Sequence, residues 1–206
     1  MEITLIIWAI ALFNYLLFSL WYFGVRKALN REEIDEYLLR LQQYNSYKEK
    51  DLSGMRSFLE NDDGKSFAMV NSILLKDKPD LVEGVNEEDK SLQVLIKYHK
   101  SFMKMMFKRG GIGIFQGRVA GRSVDVIGIE NADQWGICSI NRFRSRRDLM
   151  ELITHPDFHK KHQFKFAALE KSIAYPVSPW FQLGSFPLTV LLFIGLIASV
   201  TQIILT

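Results

Sequence analysis

The chain has 206 residues, 48% of them hydrophobic and 24% charged, with a formal net charge of +3. All 26 Lys and Arg lie between Arg26 and Lys171, and Glu2 is the only acidic residue outside that interval, so two uncharged apolar blocks flank a polar middle. That segregation excludes a chain that is water-soluble throughout, and a single cysteine, Cys138, excludes an intrachain disulfide.

The first block, Ile3 to Phe23, is interrupted only by Thr4, Asn14 and Ser19 among small polar residues. At ~1.5 Å per helical residue it spans the ~30 Å hydrocarbon layer. A retained anchor is expected rather than a cleaved signal, because no basic n-region precedes the block and no small-x-small site appears before Trp21, Tyr22 and Phe23. Arg26, Lys27 and Arg31 follow at once, whereas no Lys or Arg follows the second block. The positive-inside rule then puts the middle of the chain in the cytoplasm, at an inner or plasma membrane, with both termini on the opposite side.

Asn30-Arg31-Glu32-Glu33 reads as a capping box, and Ile34, Leu38, Leu41, Tyr44 and Tyr47 continue it at helical spacing. A second helical stretch from Leu52 to Leu59 ends at the turn formers Asn61-Asp62-Asp63-Gly64. From Ser66 to Leu75 the pattern is that of a strand, stopped by Lys76-Asp77-Lys78-Pro79. Asn86 to Arg109 is helical through Leu92, Leu95, Tyr98, Phe102 and Met106, and Gly110-Gly111 stops it. Ile112 to Val119 is the next strand, followed by a turn at 120–123, a short apolar piece at Val124 to Ile129, and a strand from Trp135 to Phe143. Ser145 caps a helix over 146–154, Pro156 restarts it for 157–170, and Ser172 to Val177 is the last strand. The second apolar block, Phe181 to Leu205, is bordered by Trp180 and carries no charge. More than twenty such residues exceed what a small soluble core uses, so it reads as a second crossing.

The order strand, helix, strand, strand, helix, strand predicts an α+β domain with a ferredoxin-like βαββαβ arrangement. The expected domains are a transmembrane helix at 1–24, a juxtamembrane helical segment at 25–64, the ferredoxin-like domain at 65–179, and a transmembrane helix at 180–206. The segments Phe67 to Leu74, Arg109-Gly110-Gly111, the Gly128 to Trp135 spacing, Asn141 to Leu149, His155-Pro156-Asp157-Phe158 and Ala167 to Glu170 together resemble the dimeric α/β-barrel superfamily, closest to its small members of unassigned function. The resemblance covers about Asp51 to Pro179 and implies a homodimer paired sheet to sheet. In catalytic relatives of that superfamily, the cleft between sheet and helices holds apolar or aromatic substrates, sometimes haem. Two added membrane helices depart from its usual soluble form.

No catalytic residue and no cofactor can be named from the residues, and no metal site is expected. Gly110, Gly111, Gly113 and Gly117 follow a helix and precede a strand, the reverse of a dinucleotide fingerprint. His155, His159 and His162 share a helical stretch with Lys160 and Lys161, without an HExxH-type motif, and read as solvated or capping histidines. Arg26, Lys27, Arg144, Arg146 and Arg147 are candidate contacts for anionic lipid headgroups, which makes membrane lipid the expected partner and leaves no need for nucleic acid. For a ligand pocket the candidates are Asn71 and Arg142, polar residues in apolar strands, with Tyr98, His99 and Trp135 as neighbours. Arg142→Ala is expected to cost more than Arg146→Ala, on the reading that Arg146 is a solvated charge.

The leading functional reading is a non-catalytic membrane-anchored subunit or scaffold that dimerises and docks with another membrane protein, in a larger complex. Asn14, Gly184, Ser185, Gly195, Ser199 and Thr201 would supply small and polar packing surfaces for its helices. The alternatives are an oxygenase- or isomerase-like enzyme acting on a lipophilic small molecule, and a ligand sensor. The strands are apolar at both parities, so the sheet face left bare by two helices needs a cover, either a second copy or the segment from Asn30 to Leu59 folded back over it.

Overall fold

The structure, a computed structural model, describes residues 2–25, 27–44, 49–180 and 184–206. The chain divides into two compact units, one made of the two chain ends up to Val25 and from Pro179, the other of Arg26–Ser178. Of the residues singled out from sequence, Arg26, Tyr47 and Phe181 lie outside the described residues.

The unit of the chain ends consists of helices α1 (Glu2–Phe23) and α7 (Phe186–Leu205), each long and apolar enough to cross a membrane. They pack antiparallel. Trp8 Nε1 donates to Gln202 Oε1 at 2.9 Å near one end, and Phe186 sits 5.7 Å and 5.8 Å, ring to ring, from Phe18 and Tyr22 at the other. Asn14 donates to Ile10 O and Ser199 to Gly195 O within their own helices, so neither spends its polar group on the partner helix. Ser185 caps α7, and Pro187 follows in the first turn, where a missing N–H costs least.

The second unit opens with α2 (Arg31–Gln42), whose capping box is complete: Asn30 Oδ1 accepts from the Glu33 N–H at 2.8 Å and Glu33 Oε2 accepts from the Asn30 N–H at 2.9 Å. Helix α3 (Glu49–Glu60) follows, and the turn after it passes through Gly64, whose φ of +69° and contact with the Lys27–Ala28 backbone, about 3.0 Å from where a Cβ would stand, would strain any side chain placed there. The remaining elements are β1 (Phe67–Leu75), α4 (Ser91–Lys108), β2 (Ile112–Arg118), β3 (Ile137–Phe143), α5 (Arg146–Ile153), α6 (Pro156–Ala168) and β4 (Leu169–Val177). The four strands form one antiparallel sheet in the order β2-β3-β1-β4, so each helical connection crosses over one intervening strand.

Three expectations shift. Helix α4 begins at Ser91 rather than Asn86, because 86–89 close a turn, Asn86 N–H to Asp89 Oδ2 and Asp89 N–H to Asn86 O, and the Lys90 N–H to Gln93 Oε1 bond then caps the helix. Strand β4 begins directly at Leu169, where α6 passes into extended backbone without a loop. The apolar piece Val124 to Ile129 joins no strand; it belongs to an irregular connection from 119 to 136, with Val124 and Ile127 exposed.

Side chains of odd-numbered residues on β1 and β3 point toward the helices, and Phe67 and Phe143 stack there at 5.3 Å. Their core also contains Leu38 and Leu41 of α2, Leu59 of α3, and Leu149, Met150 and Leu152 of α5. Helices α2 and α3 therefore thicken the helical layer instead of folding over the other face of the sheet, which corrects the alternative of an intrachain cover. That other face carries Val70, Leu74 and Ile140, with Phe115, Ile173 and Tyr175 exposed.

Candidate functional site

Between the sheet and the helices lies a cleft of about 370 Å³, within the size range of small-molecule sites. The pleat of the strands builds its floor. Asn71 of β1 faces Ser139 of β3, and Ser139 faces Gln116 of β2, so three polar side chains cross the sheet in one row. The flanking rows, Ile73 with Ile137 and Met69 with Asn141, are mostly apolar. The roof comes from α4, through Leu95, Tyr98, His99 and Phe102, and from α6, through Phe158, His162 and Lys165. Met55 of α3 and Leu149 and Ile153 of α5 line it as well.

Asn71 Nδ2 donates to Met69 O at 3.1 Å. Tyr98 is held by Phe102, stacked at 5.6 Å, and by the edge of Phe158 at 6.1 Å. Burial pushes the pKa of His99 down, and burial together with the nearby Lys165 and His159 lowers His162 to about 3. Burial likewise pushes the Lys165 amine below the ordinary lysine range. No Asp or Glu lines the cleft among the described residues. The site is thus an apolar space with one polar strip, neutral imidazoles and an amine, suited to holding a lipophilic molecule in a fixed orientation.

Of the five pocket candidates read from sequence, the structure brings Asn71, Tyr98 and His99 together in the cleft. Arg142 does not join them: its Cα partner is Ala68, so it occupies the opposite strand parity, where its Nη1 donates to Gly110 O at 3.1 Å. Trp135 precedes β3 and lies under the Lys171 ammonium, 4.9 Å from the ring. His162 and Lys165 were not singled out for the pocket. Their signal was the spacing Phe158, His162, Lys165, which puts both on the apolar face of α6.

Of the basic candidates, Arg144, Arg146 and Arg147 pair with carboxylates. Arg144 pairs with Asp148 at 2.5 Å, and Arg147 makes a two-pronged contact with Glu33 at 2.6 and 2.9 Å. That guanidinium, with the Asn30 N–H, holds the Glu33 carboxyl at about 2. Arg146, read from sequence as a solvated charge, instead has a side chain only 12% exposed: it donates to Phe58 O at 2.6 Å, lies over the Phe58 ring at 4.6 Å, and approaches Asp62 at 3.7 Å. Lys27 is exposed. Among the histidines, His155 caps α6 by accepting from the Asp157 N–H, His159 stacks on Tyr44, and His162 is buried rather than solvated. Among the described residues no group of three or more His, Cys, Asp and Glu is placed to share a metal ion.

No family model and no curated protein matches the chain. It is similar in fold to the crystal structure of a protein of unknown function from Rhodopseudomonas palustris, with a TM-score of 0.54 at 18% identity, covering 66% of this chain and 96% of that one. A methylated form of that protein aligns with the same TM-score at 19% identity, covering 68% and 96%. The likeness is one of an α+β sheet fold.

Proposed function

We propose that this chain is a two-pass membrane protein whose cytoplasmic domain, ferredoxin-like and of the dimeric α/β-barrel kind, binds a lipophilic small molecule in its sheet–helix cleft. The cleft itself carries the reading: about 370 Å³, apolar walls, and a single polar row from Gln116 through Ser139 to Asn71 that orients whatever enters. The strand order β2-β3-β1-β4, with both crossovers on one face, supports the fold assignment. The two apolar helices support the membrane placement and would supply the ligand from the bilayer. Purification of the full chain in mild detergent, followed by mass spectrometry of everything retained, tests it. A lipophilic compound near one per chain is expected, lost when Ser139→Trp fills the floor; equal retention by wild type and variant would place the compound elsewhere.

A second reading rests on a different observation, the bare apolar sheet face with Phe115, Ile173 and Tyr175 exposed. It makes the chain a non-catalytic, homodimeric subunit or scaffold of a larger membrane-protein complex. The two readings are compatible, since the cleft and the bare face lie on opposite sides of the sheet.

A further inference from the structure

Several cations of this domain are paired with acids, among them Lys76 with Asp80, Lys97 with Asp89, Lys160 with Asp157, Arg144 with Asp148, and Arg147 with Glu33. Lys165 has no such partner, and it is the one Lys or Arg that lines the cleft among the described residues. It is half-buried and lines the cleft, and among the described residues no hydrogen bond or ion pair engages its amine. Its neighbours at helical spacing are Lys161, His162, Ala168 and Leu169, none of them acidic. From α4 the cleft presents Tyr98 and His99, and from the sheet Asn71, Gln116, Ser139 and Asn141, again without a carboxylate.

A cation in an apolar recess costs free energy unless an anion or several dipoles compensate it. The protein supplies hydrogen-bonding groups on the floor and leaves out the counter-charge. We infer that the cleft is built for an amphipathic carboxylate, with its apolar part between helices and sheet and its single carboxylate at the Lys165 amine. This rests on the reading of the cleft as a ligand site and specifies the ligand's head group. The downward shift of the Lys165 pKa agrees with it, since a bound carboxylate restores the missing partner and would raise that pKa again.

The test uses the full chain in nanodiscs, with isotopically labelled decanoate and decanol measured by equilibrium dialysis against loaded and empty discs. Decanoate is expected to bind the wild type, to weaken by about tenfold or more in Lys165→Met, the size of one lost charge-assisted hydrogen bond, and to be retained by Lys165→Arg. Decanol should bind wild type and Lys165→Met alike. The three proteins are compared by thermal melting so that a folding defect is seen as such, and Lys165→Arg carries the comparison if Lys165→Met melts low: loss of decanoate binding in a folded Lys165→Arg then overturns the inference. Decanoate bound equally by wild type and Lys165→Met, or decanol bound in preference to decanoate, overturns the head-group inference and leaves the cleft a ligand site. Failure of both compounds to bind the wild type removes the cleft reading as well.

Discussion

His162 is a residue whose chemistry departs far from its ordinary state. It is 8% exposed, among Phe158, Phe166 and Tyr98, and burial holds its pKa at about 3. The unfolded chain, titrating near 6.5, binds more protons than the folded one between those values, so stability is complete above about pH 6.5 and falls as pH drops toward 3. Between pH 7 and pH 5 the domain should lose about 2 kcal/mol through this residue alone. Urea melts of the full chain and of His162→Phe check this: the difference between their pH dependences should equal that loss, and parallel curves would mean that the imidazole is hydrated. Glu33 acts in the same direction but only below pH 4.5, since its carboxyl titrates at about 2, which keeps the two effects separable. In the cleft, Asn71, Tyr98 and His99 were legible because a polar residue interrupts an apolar strand or an apolar helix face. His162 and Lys165 were hidden in a basic run that reads as solvated until α4 is laid across it.

Among the elements, α3 and α5 are bridged beyond their shared apolar core by Arg146, which reaches Phe58 O, the Phe58 ring and Asp62 from one side chain. Asp62 in turn accepts from the Leu29 and Gly64 N–H groups, and its own side chain is only 1% exposed. Removing the guanidinium leaves a buried acid without its cation. Arg146→Ala should therefore cost about 2–3 kcal/mol, as much as Arg142→Ala, whose loss frees Gly110 O beneath the sheet. Chemical melts of the two variants side by side decide the point, and a negligible loss for Arg146→Ala would return it to the class of surface cations. The element boundaries themselves were largely legible. Asn30 and Ser145 mark their caps, Pro156 and Pro187 sit in first turns, and Gly110, with φ of +71°, ends α4 as glycine at a helix terminus should.

For the whole molecule, the second face of the sheet is left uncovered by the described helices of its own unit. Helices α2 and α3 are committed elsewhere, since Leu38, Leu41 and Leu59 are buried with α5 and Arg147 is locked to Glu33. Exposed Ile173 and Tyr175 of β4 and Phe115 of β2 form an apolar surface, and it is through this surface that the proposed homodimer would pair about a two-fold axis. Ile173→Glu with Tyr175→Glu should convert the full chain in detergent from dimer to monomer without lowering its melting temperature, as read by sedimentation velocity. An unchanged dimer would assign association to some other surface.

The apolar blocks, the caps and the alternation of periods follow from the sequence alone, because chain-local rules govern them: hydrophobic length, φ preferences at glycine and proline, and side-chain spacing along one element. Which residues meet across elements does not follow from those rules. Strand parity removed Arg142 from the neighbourhood of Asn71 although both read as polar residues in apolar strands. Crossover of α6 above the sheet brought Lys165 into the same cleft as Asn71, Gln116 and Ser139. The destination of α2 and α3 was settled by which apolar face offered the better packing, a comparison that only the folded chain makes.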